Sequence, residues 1–289
     1  MRRNRSLATR FSWLSLPALA LTAALVGPLA APLARAADTL PPSEADAKKR
    51  IESSPRHGEY ADVPLAEGKP IRSYVVYPEV KEKAPVVIVI HEIFGLSDWI
   101  KSVADQLAAD GFIAIAPDLL SGTGKDGKGT DGFDGRDAIT QAIRGLKPDQ
   151  VVAQLNAVRE YGSKLPSSNG KTGTVGFCWG GGQSFAYAAA QPELSAAVVY
   201  YGTSPKAEDL AKVKAPVLGN YGGNDNRVNS TIAPAQAALK AAGKTYDPNI
   251  YEGAGHGFLR QQDGQNGANK KAAETAWPKT IAFLREHTK

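Results

Sequence analysis

Three side chains of this 289-residue chain have the types and the order that acyl-transfer chemistry needs. Cys178 is the only cysteine. It lies at the centre of Gly176-Phe177-Cys178-Trp179-Gly180, inside the run TVGFCWGGGQ. This is the glycine-x-nucleophile-x-glycine pattern of a strand that turns sharply into a helix, with cysteine at the apex in place of the usual serine. The backbone at such an apex is strained, and the residues two before and two after crowd it, so both positions require glycine. A thiol at the start of a helix also faces the positive end of the helix dipole, which can lower its pKa. Taken alone, the run fits a buried structural cysteine beside a glycine-rich turn equally well.

An elbow nucleophile is followed in chain order by an acid and then a histidine. Asp225 lies in VLGNYGGNDNRV, just past an apolar run, and His256 lies in the glycine-rich YEGAGHGF. His256 can take the thiol proton, and Asp225 can hold the imidazole in the required tautomer and favour its cation. Seen singly, Asp225 is a turn residue and His256 a loop histidine; the joint order gives them their meaning. The developing oxyanion needs two N–H donors. Trp179, after the nucleophile, supplies one, and Ile93 in IVIHEIFGLSDW is the candidate for the other. Glu92 is out of place beside it, because a carboxylate repels the charge such a hole stabilises. Phe94, Trp179 and Phe258 are candidate pocket walls. Of the remaining histidines, His91 is expected to be buried and structural, His57 precedes the core, and His287 falls in the last helical turn. No His/Cys/carboxylate spacing suggests a metal, and no phosphate-binding loop follows a first strand, so no cofactor or metal is expected.

The elements that must position these residues alternate. IRSYVVYP alternates like an edge strand, whereas APVVIVIHE and FIAIAPD are continuous apolar runs, as in strands covered on both faces. LSDWIKSVADQLAADG has helical spacing, with Ser97 as N-cap and Gly111 as stop. RDAITQAIRGLKPDQVVAQLNAVREYGSKL reads as helices interrupted near Pro148. TGTVGF, SAAVVYYG, APVLGNYGG and YDPNIY follow as strands, and GGGQSFAYAAAQ, TIAPAQAALKAAG and KKAAETAWPKTIAFLREH as helices. Such alternation predicts an α/β fold with a mostly parallel sheet and helices on both faces. Its chemistry belongs at the carboxyl ends of the strands, where Cys178, Asp225 and His256 fall.

Composition is that of a globular chain, with 43% hydrophobic and 22% charged residues. The net charge of +5 comes from residues 1–36, which hold Arg2, Arg3, Arg5, Arg10 and Arg35 and no acid. Beyond them the basic and acidic residues balance at 29 each, so no nucleic-acid partner is expected. The basic start, the apolar FSWLSLPALALTAALVGPLA and the small residues of ARA at 34–36 predict a signal peptide over residues 1–36. Pro17, Pro28 and the small-residue ending argue against a retained anchor. The protein is expected to be periplasmic or secreted. The residues after Arg2-Arg3 fit the twin-arginine pattern poorly and favour the general export route. A single cysteine excludes an intrachain disulfide. Residues 37–57 are polar and read as a linker with a short surface helix, and one domain is expected over residues 58–289.

At these residues the chain resembles the dienelactone hydrolase family, the carboxymethylenebutenolidases, which are cysteine members of the α/β-hydrolase superfamily. The resemblance spans roughly residues 58–288 and rests on HEIFGL, GFIAIAPDLL, SNGKTGTVGFCWGG, YYG, GGNDNRV and GAGHGFLR together. It implies an α/β-hydrolase fold and a triad of Cys178, Asp225 and His256. It also gives Glu92 a role, holding the resting cysteine as a thiol and then accepting its proton as substrate enters. It further implies that arginines hold a substrate carboxylate. Arg260 matches one of them. Arg136 is the candidate for another, although its glycine-rich surroundings, SGTGKDGKGTDGFDGRD, differ from the family pattern.

The reading is a carboxylic ester or lactone hydrolase that opens a small, carboxylate-bearing substrate through an acyl-thioester on Cys178. It is expected to act as a monomer, free of the membrane once the signal is removed. Two alternatives stay open. One is a non-catalytic binder of small ligands on the same fold. The other is a thiol redox or detoxification protein that works through a sulfenate on Cys178.

Overall fold

The computed structural model describes residues 40–289; the expected signal peptide over 1–36 lies outside the described residues. Among the described residues eight strands form one sheet: β1 (Gly58–Val63), β2 (Ile71–Val76), β3 (Ala84–Ile90), β4 (Ile113–Pro117), β5 (Ser168–Phe177), β6 (Ala196–Tyr200), β7 (Val217–Gly222) and β8 (Tyr246–Tyr251). Their order is β1-β2-β4-β3-β5-β6-β7-β8. β2 runs antiparallel to both β1 and β4, and every later pairing is parallel. The mostly parallel α/β-hydrolase sheet is therefore present. The expected edge position of Ile71–Val76 is not: β1, from a stretch too polar to read as a strand, covers that side.

The helices are α1 (Ala47–Glu52), α2 (Asp98–Ala109), α3 (Arg136–Gly145), α4 (Pro148–Ser163), α5 (Trp179–Ala190), α6 (Ala207–Leu210), α7 (Asn226–Asn229), α8 (Ile232–Ala241) and α9 (Ala268–His287). Two apolar layers enclose the sheet. Val87 and Val89 of β3 point into one, with Trp99, Val103 and Leu107 of α2 and Trp277, Ile281 and Leu284 of α9. Val86, Ile88 and Ile90 point into the other, with Leu155 and Val158 of α4, Phe185 of α5 and Leu239 of α8. This two-sided burial is why β3 reads as an unbroken apolar run.

Local signals set the helix ends. Ser97 Oγ accepts from Ile100 N at 3.4 Å at the start of α2. At its end Gly111 takes φ +96°, while Gly111 N and Phe112 N donate back to the Ala108 and Leu107 carbonyls at 3.0 and 3.1 Å. That pair of bonds is a Schellman close, which requires the left-handed glycine. Pro148 occupies the first turn of α4, where its missing N–H costs nothing.

Parallel register aligns the strand ends. Ile90 lies opposite Gly176, Phe177 opposite Tyr200, Tyr200 opposite Asn220, and Gly222 opposite Tyr251. The segments that follow β3, β5, β6, β7 and β8 therefore leave the sheet along one rim.

The segment before β1 is not a free linker. Pro41 O accepts from Gln262 Nε2 at 2.9 Å, Pro42 O from Trp99 Nε1 at 3.0 Å, and Glu44 N donates to Arg260 O at 2.9 Å. Ala47 is buried in the core. Arg50 and Arg56 reach Asp105 of α2 at 3.0 and 2.6 Å, and Ser54 Oγ donates to the same carboxylate. Asp105 is buried, so these partners supply what solvent cannot. Burial pushes its carboxyl up, but Arg56, Ser54 and Arg50 outweigh burial and hold it below the usual aspartate range. The clasp's contribution to stability is thus full above the unfolded aspartate pKa of about 4 and is lost as pH falls below it. Asp105→Ala is expected to cost about 3 kcal/mol at pH 7, because it removes the carboxylate that the largely buried Arg56 guanidinium pairs with and one of the partners of Arg50. Urea denaturation measures that loss, and limited proteolysis is expected to cut the segment 40–57 faster in the variant.

Candidate active site

Cys178 sits at the turn from β5 into α5 with φ +56° and ψ −116°, a region that non-glycine residues avoid at a cost of about 1–3 kcal/mol. Its N–H is held by the Tyr200 carbonyl at 3.0 Å. The flanking glycines are required by close approach. A Cβ on Gly176 would run into the Gly180 carbonyl, and one on Gly180 would meet the carbonyls of Ile90 and His91. The first turn of α5 therefore lies directly against the ends of β3 and β5.

The imidazole of His256 lies between the other two groups. Its Nε2 is 3.1 Å from Cys178 Sγ, and its Nδ1 is 2.5 Å from Asp225 Oδ2. The carboxylate accepts, so Nδ1 carries the hydrogen and Nε2 is free to accept from the thiol. The other Asp225 oxygen, Oδ1, accepts from Val228 N at 3.4 Å and caps α7. Asp225 is nearly buried, whereas about a third of the His256 side chain is exposed, so the sulfur end of the chain opens to solvent. The three residues expected from chain order are thus brought together.

Trp179 is the first residue of α5, and its N–H faces the Cys178 sulfur and favours the thiolate. Ile93 lies in the turn after β3, and its N–H makes no hydrogen bond among the described residues. Of the two expected oxyanion donors, the Ile93 N–H is thus without a partner among the described residues, and the Trp179 N–H is directed at the sulfur. His91 is buried beneath them. Its Nε2 accepts from Leu119 N at 3.3 Å, which puts the hydrogen on Nδ1, donated to Glu92 O at 2.8 Å. Its ring stacks on Trp179 with centroids 5.6 Å apart. Burial lowers its pKa and keeps it neutral, as a structural histidine should be.

Charge gathers on the other side of the sulfur. Glu92 is buried, and its Oε2 is 2.7 Å from Arg260 Nε, in an ion pair that lies off the hydrogen-bond line. Burial pushes the Glu92 carboxyl up to about 7 although Arg260 opposes it. The Cys178 thiol is also pushed up, to about 11, first by burial and then by the Glu92 charge. The helix N-terminus was expected to lower it; Trp179 N–H, Arg227 and Arg260 do act that way and are outweighed. Arg136 and Arg260 lie over the Phe94 ring at 4.8 and 5.2 Å, and both bind the carboxylate of Glu44. Arg136 thus joins Arg260 at the Glu44 carboxylate, with most of its side chain exposed.

One expectation needs correction. Phe258 is no pocket wall. It is fully buried against Tyr200, Tyr201 and Tyr251, because the loop after His256 turns it into the core beneath the site. Two residues near the site were not singled out from the sequence. Tyr201, in YYG, has φ +40°, and its ring meets His256 edge-on at 5.2 Å. Its buried hydroxyl has no partner among the described residues. The glycine that follows, Gly202, has no room for a Cβ against Gly181 and Gly182. Glu44 belongs to a polar stretch with no sequence signal. Loop placement is fixed by a second clasp. Thr130 N and Oγ1 donate to Asp118 at 2.6 and 2.9 Å, and Leu96 N donates to Thr130 Oγ1 at 3.0 Å. Among the described residues no group of three or more His, Cys, Asp or Glu could hold a metal ion, and no helix is long and apolar enough to cross a membrane.

A thiol with a pKa near 11 is expected to alkylate slowly at neutral pH and faster as pH rises. Removing the Glu92 charge favours the thiolate, so Glu92→Gln is expected to move the iodoacetamide rate profile of Cys178 to lower pH. An increase of about threefold or more at pH 8 is expected. An unmoved profile contradicts the assigned cause.

Residues 71–288 match the family model described as the dienelactone hydrolase family. A carboxymethylenebutenolidase of Pseudomonas putida is 31% identical over 231 residues, which are 76% of this chain and 96% of that protein. A Salmonella typhimurium protein named "Putative carboxymethylenebutenolidase" is 32% identical over 77% of this chain and 85% of its own. A Klebsiella pneumoniae crystal structure, named "Putative Dienelactone Hydrolase", superposes with a TM-score of 0.71 at 27% identity. The match covers 80% of this chain and 98% of that one.

Proposed function

From the premise that this chain belongs to the dienelactone hydrolase family and is a lactone or ester hydrolase, we propose that it opens its substrate by a Cys178–His256–Asp225 triad through an acyl-thioester. The observation that carries this reading is the continuous path from Asp225 Oδ2 through His256 to Cys178 Sγ, with links of 2.5 and 3.1 Å.

The thiol proton passes to His256 Nε2, and Asp225 balances the imidazolium that forms. The thiolate attacks the carbonyl carbon, a C–S bond forms, and the carbonyl π pair moves to oxygen. That oxygen sits toward the N–H groups of Ile93 and Trp179, which stabilise its charge. As the tetrahedral intermediate collapses, the C–O bond to the leaving alkoxide breaks and His256 returns the proton to it. In a lactone the alcohol stays tethered to the acyl group. Water then gives a proton to His256 and attacks the thioester, the C–S bond breaks, and the proton goes back to sulfur. The sequence uses no cofactor. Burial, and after it the Glu92 charge, keeps the resting sulfur protonated. The resemblance also makes Glu92 a proton acceptor, but His256 is the base in contact with Sγ, so the direct path leads there.

With p-nitrophenyl esters and small lactones, Cys178→Ala and His256→Ala are each expected to lower kcat/KM by about a thousandfold or more, since members of a triad act as a unit. Mass spectrometry of rapidly quenched wild type is expected to find the acyl group on Cys178. Hydrolysis that survives both substitutions overturns the mechanism.

Residues 1–36 are proposed to direct export to the periplasm or beyond. A mature protein beginning at Ala37 in the exported fraction is expected on N-terminal sequencing; an intact cytoplasmic chain overturns this.

A further inference from the structure

Two guanidinium groups on one aromatic ring make a carboxylate clamp. Arg136 and Arg260 lie over Phe94, and Arg260 follows His256 by one turn of chain. Each can direct N–H groups at one oxygen of a planar anion. In this protein the clamp is already filled. Glu44 Oε1 meets Arg136 Nη2, and Glu44 Oε2 meets Arg260 Nη1. The carboxylate bridges the two arginines as a ligand would, but it belongs to the chain.

The bridge is tethered. Glu44 N donates to Arg260 O at 2.9 Å, and the Pro41 and Pro42 carbonyls are held by Gln262 and Trp99. Ala47, three residues on, is buried. Main-chain bonds on one side and core packing on the other leave Glu44 little freedom to swing out. An incoming carboxylate therefore competes with an intramolecular one, whose effective concentration is of order millimolar or higher. Charge points the same way. Arg136 and Arg260 both already face the Glu44 carboxylate, and Arg260 also faces Glu92, so a second anion entering the clamp meets the carboxylate that fills it.

We propose that Glu44 is a specificity-determining residue that occupies the site's own anion subsite, so that the enzyme selects lactones and esters with a neutral acyl part and disfavours those bearing a carboxylate. The inference rests on the hydrolase reading above and deepens it. It replaces the carboxylate-bearing substrate expected from the sequence.

The test compares p-nitrophenyl butyrate with p-nitrophenyl hydrogen succinate, on wild type, Glu44→Gln and Glu44→Asp. The ratio of kcat/KM for the anionic ester to that for the neutral one is expected to rise at least about tenfold in Glu44→Gln, the cost of one charged competitor. Glu44→Asp, which keeps the charge, is expected to stay nearer wild type. Succinate binding to Cys178→Ala, read by calorimetry, is expected to tighten by a similar factor when Glu44→Gln is added. A ratio and a succinate affinity that change less than twofold overturn the assignment of Glu44. If wild type turns over neither ester, the hydrolase reading fails, and the calorimetry still decides whether Glu44 guards the clamp.

Discussion

The site depends on how closely the first turn of α5 lies against the ends of β3 and β5. Gly176 and Gly180 have no space for a side-chain carbon, because backbone carbonyls occupy it. That contact drives the chain through φ +56° at Cys178 and lifts the sulfur off the sheet. It also presents the Trp179 N–H to the sulfur and brings α5 beside the turn that holds Glu92 and Ile93. The strain is local and is offset by packing on both faces of the sheet, where long apolar strands are fully covered. The rest of the rim follows from parallel register: with the strand ends level, three residues from distant parts of the chain meet without long loops.

Around that geometry the charges form two systems joined through Arg260. In one, Asp225 orients His256, which faces the sulfur. In the other, Glu92, Arg260, Glu44 and Arg136 alternate in sign from the buried interior outward. Glu92 lies where burial opposes its charge and Arg260 favours it, which leaves its carboxyl near 7, within reach of physiological change. The sulfur responds to the same balance, because after burial it is the Glu92 charge that raises its pKa. A thiol kept protonated at rest is protected, since the thiolate is the form that oxidants attack.

Much of this was legible in the sequence. The apolar runs gave the central strands because burial on both faces leaves no alternation to confuse the period. Ser97, Gly111 and Pro148 mark helix ends through backbone chemistry that acts within a few residues. Cys178, Asp225 and His256 were legible because fold topology fixes their order along the chain. What stayed hidden depends on contacts between distant residues. β1 is polar and becomes a strand only because β2 offers an edge. Phe258 looked available to substrate, and only the turn after His256 sends it into the core. The net effect on the thiol pKa depends on burial and on a carboxylate 86 positions earlier in the chain, neither of which a helix-dipole argument contains. Glu44 was invisible because a polar extension carries no signal of what it docks against; Arg260 and Trp99 decide that.

The Asp118–Thr130–Leu96 clasp has a consequence for how this enzyme can vary. Asp118 is anchored at the end of β4, and Thr130 fastens the far end of the glycine-rich loop to it and to the turn carrying Phe94. Gly129 must remain glycine, because a side chain there would strike the Asp118 carboxylate. Between Ser121 and Gly129 the loop is closed at both ends like the handle of a basket. Gly124 is fixed as well, since a side chain there would meet the Gly129 carbonyl, but the other residues between them can vary while the turn carrying Phe94 keeps its place. A loop fastened in this way can be remodelled without moving the turn to which it is tied.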